Sequence, residues 1–325
     1  MKSKIKANSQ NVANPFVYSD TNKRYHTYDY YLKQRFGSKC AKIPIDAHMT
    51  CPNIDGSKGF GGCIYCSGGG VGASANCCMD IEEQYKRGVE LLADKWHTDK
   101  YIPYLQYHTN TYSPLPVLKE LYEKLLKMPG AVGLNIATRA DCLPDRTVDY
   151  LADIAERTVL TVELGLQSIH DSTAKLINRG HMYEEFLDGY ERLRHASDKI
   201  NIAIHLIDGL PGEDPDMMLA TAEAVGCLKP DMVKIHSLYV NKGTRLFDMY
   251  DAGEFTPIKK EEYIDILVRQ LEVLPPETVI GRITGDGERG IAVAPDWAFR
   301  KVDILNGVDK KMFAENTWQG RLYGK

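Results

Sequence analysis

Beyond residue 41 the 325-residue chain alternates short apolar runs with longer stretches whose apolar residues recur every three or four positions. The short runs are AKIPIDA, YIPYLQYHT, AVGLNIAT, TVLTVELGL, INIAIHLIDGL and DMVKIHSL, and they predict six β-strands. Between them MDIEEQYKRGVELLADKW, PLPVLKELYEKLLKM, LPDRTVDYLADIAER and EDPDMMLATAEAVGCL read as helices, the second with a proline where a first turn tolerates it. Shorter helices are expected around Ser172–Asn178 and Tyr183–His195. Strands that are apolar almost throughout are buried on both faces, as in parallel sheets joined by helical crossovers. The pattern predicts an α/β fold, a partial (β/α)6 barrel, with a doubly wound sheet as the competing arrangement. The tail adds a helix over Glu261–Leu274 and a strand over Thr278–Ile283.

Three segments follow: an N-terminal extension over residues 1–41, the barrel over 42–240 and a C-terminal extension packing on it over 241–325. The net charge of −4 is unevenly spread, because residues 1–42 hold nine Lys/Arg against two acids. A basic arm on an acidic body fits a nucleic-acid contact, and solvated lysines give the same count. Within NKRYHTYDYYLKQRF, Lys23, Arg24, Lys33 and Arg35 would meet phosphates while Tyr25, Tyr28, Tyr30 or Tyr31 stack on bases. The competing reading is an amphipathic helix that buries its tyrosines on the barrel. No apolar run is long enough to span a membrane, and the N-terminus lacks the apolar stretch of a signal peptide, so a cytoplasmic location is expected.

In that compartment the eight cysteines should be reduced, which makes any group of them metal-binding or catalytic. Cys40, Cys142 and Cys227 stand alone and are expected to be small buried hydrophobes. TCPNIDGSKGFGGCIYCSGGG, residues 50–70, places Cys51, Cys63 and Cys66 on a loop with seven glycines, directly after the first barrel strand. Chemistry in parallel α/β folds gathers at that end of the strands. Structural zinc is one reading, with Cys77, Cys78 or His48 as the fourth ligand. A redox pair at Cys63 and Cys66 is a second. A [4Fe–4S] cluster on three thiolates is the third; three leave one iron open for a substrate or cofactor. GDGERG, residues 285–290, matches G-x-G-x-x-G, but the proline five residues on excludes the long helix of a dinucleotide site.

With this loop stand TNTYSPL, TRADCLPD, ELGLQS, LIDGLPGE, KIHSLYVNKGT and RITGDG. Together they resemble the radical S-adenosylmethionine (SAM) superfamily, and within it the bacterial subfamily related to the radical domain of the elongator catalytic subunit. The resemblance covers about Lys42 to Gly287. It departs from the common C-x3-C-x2-C spacing, because eleven residues separate Cys51 from Cys63. It implies a radical SAM partial barrel and a [4Fe–4S] cluster on Cys51, Cys63 and Cys66. It also implies SAM chelated to the open iron and cleaved reductively to a 5′-deoxyadenosyl radical. Thr109, Asn110 and Thr111 occupy the place of the family's Gly-Gly-Glu stretch, which holds the SAM amino group by its backbone. Arg139 is placed to meet the SAM carboxylate, with Asp141 as its ordinary ion-pair partner. Glu163 resembles a ribose or amino-group contact, with Gln167 beside it. His205 and His236 are either core histidines or residues that face adenine or substrate.

The implied substrate is tRNA, at the C5 substituent of a wobble uridine, with carboxymethylaminomethyl converted toward aminomethyl before a partner methyltransferase acts. A flavodoxin- or ferredoxin-type reductant is the implied electron donor. The alternatives are a radical SAM enzyme acting on a small metabolite, a zinc-stabilised RNA-binding protein and an iron–sulfur redox sensor.

Overall fold

The computed structural model describes residues 14–66, 79–93, 96–285, 287 and 290–325. Helix α1 (Tyr28–Phe36) precedes β1 (Ala41–Ile45), and five further β/α alternations follow. They run α2 (Ile81–Ala93), β2 (Tyr101–Leu105), α3 (Leu115–Leu126), β3 (Gly133–Thr138), α4 (Asp145–Ala155), β4 (Val159–Gln167), α5 (Asp171–Leu176), α6 (Tyr183–Ala196), β5 (Asn201–Asp208), α7 (Pro215–Leu228) and β6 (Met232–Ser237). After these come β7 (Val240–Asn241), α8 (Arg245–Asp251), α9 (Lys260–Val273), β8 (Val279–Arg282), β9 (Ala292–Ala294) and α10 (Lys301–Ala314). Strands β1 to β6 lie in sequence order, all parallel, and β8 joins β6 as the seventh strand. The sheet curls into a half-barrel. β7 and β9 form a separate antiparallel pair.

The strands are not uniformly apolar. Ile43 and Ile45, Leu134 and Ile136, Val162 and Leu164, Ile202 and Ile204, and Val233 and Ile235 enter the main core with the helices. The residues between them carry polar groups inward: Lys42, Tyr104, Glu163, His205, Lys234, His236 and Arg282 line interior cavities. Successive side chains on a strand point to opposite faces. The helices cover the convex face only, so the concave face is free to hold chemistry.

The N-terminal stretch is part of the fold. Thr27 bridges Ile280 of β8, and the Ile280 N–H donates to the His26 carbonyl at 2.7 Å. The Thr27 side chain caps α1 by accepting from the Tyr30 N–H, and Gly37 closes the helix with φ of 71°. Tyr28 and Tyr31 pack on Ala203, Met232 and Val279. Lys23 pairs with Asp309 of α10 at 2.5 Å, and the buried Arg24 donates to Asn316 at 3.1 Å and to the carbonyls of Met312 and Thr317. The reading of a helix that packs its tyrosines on the barrel therefore fits Tyr28 and Tyr31, while Lys23, Arg24 and Tyr25 are engaged by the fold ahead of the helix. Extracting Tyr25 from the core would cost roughly 1.5–3 kcal/mol, which would offset most of the about 1–3 kcal/mol that a base stack yields.

Cys40 and Cys142 are buried as expected, whereas Cys227 is exposed near the end of α7. Among the described residues, no helix is long and apolar enough to cross a membrane.

Candidate active site

The loop after β1 folds back on itself. The Cys51 carbonyl accepts from the N–H groups of Ile54 and Asp55, the Pro52 carbonyl accepts from Lys58 and Gly59, and the Asn53 carbonyl accepts from Gly62. The eleven-residue spacing is thus taken up in turns. Two asparagines tie the loop to the α5–α6 connection: Asn53 donates to the Asn178 carbonyl, and Asn178 donates to the carbonyls of Gly62 at 2.8 Å and Phe60 at 3.1 Å. Gly180, at φ of 80°, sits where a Cβ would stand 2.8 Å from Asn53 Oδ1, so this close approach requires glycine. The Ile64 N–H donates to the Ile177 carbonyl and completes the attachment.

Cys51, Cys63 and Cys66 consequently line one cavity of about 560 Å³ at the C-terminal ends of the strands. Burial pushes the Cys63 thiol up to about 11, and Cys66 and Cys51 add to the shift. Thiols so crowded give up their protons against a metal. Among the described residues, no three His, Cys, Asp or Glu side chains close on a single-ion geometry. Cys77 and Cys78 lie outside the described residues, as do Asp286, Glu288 and Arg289 of GDGERG.

Cations surround the thiols. Arg139 Nη1 lies 4.0 Å from Cys51 Sγ and donates to the Arg179 carbonyl at 2.7 Å. The other edge of its guanidinium grips Asp141 through two hydrogen bonds of 2.9 Å. Burial alone would raise Asp141, but the Arg139 fork outweighs it and holds the carboxyl below its usual range. Lys58 adds a 2.7 Å ion pair to Asp141. The wholly buried Arg179 donates to the carbonyls of Leu166, Ser168 and His181, and its Nη2 has no hydrogen-bond partner among the described residues. Neither ring nitrogen of the buried His181 makes a hydrogen bond among the described residues, although Nδ1 lies 3.8 Å from Asp141 Oδ1, and burial together with Arg179 pushes that imidazole down to about 3. Asn53 Nδ2 lies 4.0 Å from Cys63 Sγ. Donors and positive charge aimed at thiolate sulfurs suit an anionic cluster.

Deeper in the half-barrel Glu163 is the hub of a buried network. It accepts from Lys234, from His205 Nε2 at 2.9 Å and from Asn135 Nδ2 at 3.0 Å, and Lys42 stands 3.8 Å away. Burial opposes its charge, yet Lys234 and Lys42 hold the carboxyl well below its ordinary range. The His205 and His236 rings lie 5.5 Å apart, and burial lowers both, so each is neutral at pH 7. His236 Nε2 has no partner among the described residues.

Of the predicted SAM contacts, Thr109, Arg139, Glu163, Gln167, His205 and His236 line the cavity of the cysteines. Asn110 and Thr111 do not. Asn110 donates to the carbonyls of Leu105, Tyr107 and Ala137, and Thr111 bonds Thr138 and the Cys142 carbonyl, which ties the ends of β2 and β3 together. Gln167, at φ of 64°, turns at a bulge whose Gly165 leaves room for its side chain. Sequence reasoning passed over Lys234, Arg282, Asn135, Tyr104, Arg179 and His181 as site residues. A lysine flanked by apolar neighbours in MVKIHS, and likewise Lys42 in AKIPI, was the available signal.

The chain matches the radical SAM superfamily over residues 59–225 and the radical SAM C-terminal domain over residues 230–314. It is similar to protein YtqA of Bacillus subtilis (strain 168), 42% identical over 311 residues that span 95% of this chain and 96% of that one. It is 31% identical over 158 residues to the tRNA uridine(34) acetyltransferase of Methanocaldococcus infernus, which is 48% of this chain and 29% of that protein. A solved structure of Methanocaldococcus infernus Elp3 with an N-terminal deletion superposes with a TM-score of 0.64 at 22% identity, covering 86% of this chain and 64% of that chain. That superposition shows a common fold.

Proposed function

The chain belongs to the radical SAM superfamily, and from that membership we propose that Cys51, Cys63 and Cys66 hold its cluster and that it acts on the C5 substituent of a tRNA wobble uridine. As a member it is an enzyme that works with a [4Fe–4S] cluster and SAM. When bound, these supply hydrogen abstraction from an unactivated carbon through a 5′-deoxyadenosyl radical. The observation that carries the cluster assignment is the convergence of three thiols on one cavity with Arg139 and Arg179 beside them.

The protein's own side chains hold and orient. Arg139, fixed by Asp141, offsets the charge of the thiolates, and this role uses most of its donors. Thr109 and Gln167 are proposed to position SAM at the cavity wall, with the neutral His205 and His236 toward its adenosine or the substrate. Glu163 acts as a positioning residue that fixes His205, Lys234 and Lys42. Asn110 and Thr111 hold the backbone that presents Thr109.

The likeness to a tRNA uridine(34) acetyltransferase over 158 residues supports tRNA as the substrate class. The specific conversion proposed is carboxymethylaminomethyluridine to aminomethyluridine, upstream of a methyltransferase. The carboxymethyl carbon would lose a hydrogen atom, then an electron and a proton, and water would hydrolyse the resulting imine to the amine and glyoxylate, with SAM as the two-electron oxidant and the initiating electron from a flavodoxin- or ferredoxin-type protein. The test is anaerobic incubation of the cluster-loaded protein with SAM, dithionite and tRNA carrying the carboxymethylaminomethyl group, followed by nucleoside mass spectrometry. Loss of that nucleoside with gain of aminomethyluridine supports the reading. SAM cleavage with unchanged tRNA overturns the substrate assignment.

A further inference from the structure

A second cavity, of about 600 Å³, opens on the side of the half-barrel between β1, β8 and α1. Lys42, Tyr104, Lys234 and Arg282 line it from the strands, and Tyr28 lines it from α1. His205, His236 and Arg282 line both this cavity and that of the cysteines, so the two meet there. Lys234 and Arg282 are register partners on adjacent strands.

The charges at this junction do not balance. Glu163 is the one carboxylate in ion-pair contact with the group among the described residues, and Lys234 holds it most closely. Lys42 reaches it at 3.8 Å, and Arg282 makes no ion pair or side-chain hydrogen bond among the described residues. The ammoniums rest on aromatic faces: Lys42 Nζ is 4.6 Å from the Tyr28 ring centroid and 4.8 Å from that of Tyr104, and Lys234 Nζ is 4.6 Å from the latter. Such contacts stabilise a cation only in part. Burial pushes both lysines toward their neutral forms, and Glu163 pulls them back. Among the described residues, the charge left without a counter-ion is therefore that of Arg282 and, in part, Lys42. Asp29 also lines this cavity but is engaged by Lys33, so partly buried cations at the junction are costly unless a ligand supplies further negative charge.

We propose that Lys42, Lys234 and Arg282 form a subsite that binds a carboxylate of the substrate where the two cavities meet. A monoanion matches the residual charge, and the guanidinium fork of Arg282 matches carboxylate geometry. A carboxylate held there would lie beside His205, His236 and Arg282, which also line the cavity of the three cysteines. For the identity of the substrate the proposal rests on the wobble-uridine reading, whose substituent ends in a carboxylate; the subsite itself stands without it.

The test is calorimetric titration of the cluster-loaded protein with two matched pairs. One pair is 5-carboxymethylaminomethyluridine and its carboxamide. The other, free of nucleoside, is N-benzylglycine and N-benzylglycinamide. Each carboxylate is expected to bind at least about tenfold more tightly than its amide, the yield of one charge-assisted contact. Arg282→Gln should abolish that preference and Arg282→Lys should retain most of it. Lys42→Met, at a side chain that is 21% exposed, is the second variant should Arg282→Gln fail to fold, and it should lower the preference too. Equal binding of acid and amide, no binding of either acid, or an undiminished preference in folded Arg282→Gln overturns the subsite. Tighter binding of inorganic phosphate than of N-benzylglycine, lost in Arg282→Gln, overturns the choice of carboxylate. A preference kept for N-benzylglycine, with no nucleoside binding better than it, supports the subsite and defeats the wobble-uridine reading.

Discussion

Glu163→Gln removes the one carboxylate that Lys234 and Lys42 share inside the half-barrel. Glu163 is only 1% exposed and Lys234 only 3%, so water cannot take over the lost contact. An exposed ion pair broken in this way costs about 0–1 kcal/mol; a buried one costs about 3–5 kcal/mol, because the surviving charge is left unpaired. At about 2.1 cal/mol/K of unfolding entropy per residue, each kcal/mol lowers the Tm of a chain of this size by about 1.5 °C, which gives a drop of roughly 4–8 °C. Lys234 can escape part of that cost by losing its proton, a change burial already favours. A lysine with a depressed folded pKa is least destabilising at high pH, so the deficit of Glu163→Gln should shrink as pH rises from about 7 to 9. The assay is thermal unfolding by circular dichroism of wild type, Glu163→Gln, Lys234→Met and the double variant, all in the same cluster state. Removing both charges together should cost less than the two single losses added, by about 0.5–3 kcal/mol. A Glu163→Gln loss below about 1 kcal/mol, or strict additivity in the double variant, would refute the claim that this pair is buried and interdependent.

Asn178→Ala removes the donors to Phe60 and Gly62 and should cost about 1–3 kcal/mol. The cysteine loop should bear that loss first, so iron incorporation falls while the far-UV melting of the barrel changes little. Acid should destabilise the fold through His181, His205 and His236, all held neutral by burial. Their contribution is complete above an unfolded pKa of about 6.5 and is lost as pH falls below it, by up to about 1.4 kcal/mol per pH unit for each group. His181, pushed down to about 3, keeps that slope through the acidic range, and His181→Gln should flatten the pH dependence of urea unfolding. Arg24→Ala should lower Tm by removing contacts with Asn316 and the carbonyls of Met312 and Thr317, and should leave the salt slope of tRNA binding unchanged. A shallower salt slope would return Arg24 to the nucleic-acid surface.

The order of strands and helices was legible because their periodicities differ; the strand over Thr278–Ile283 was legible too, but as part of the tail, and only the fold shows it as the seventh strand of the sheet. What periodicity concealed was the inner face. Lys42, Lys234 and Arg282 each stand alone among apolar neighbours, and only the curl of the sheet brings them together around Glu163. The cysteine loop was legible by composition, but its closure depends on Asn178 and Gly180, more than a hundred residues away in the chain. Arg179 and His181 carried no local signal, because their burial comes from the α5–α6 turn folding over the cysteines. Charge counting could not separate Lys23 and Arg24 from the rest of the basic arm, because Asp309 and the C-terminal carbonyls that engage them lie nearly three hundred residues downstream.

The central claim is that Cys51, Cys63 and Cys66 carry a cube with one iron left open. It is tested most directly by counting iron and zinc in the anaerobically purified, reconstituted protein, then adding dithionite and SAM and measuring 5′-deoxyadenosine. The account predicts about four irons per chain with 5′-deoxyadenosine formed, and loss of both in each of Cys51→Ala, Cys63→Ala and Cys66→Ala. Zinc in place of iron with SAM left intact, or full activity in any of the three variants, would contradict it.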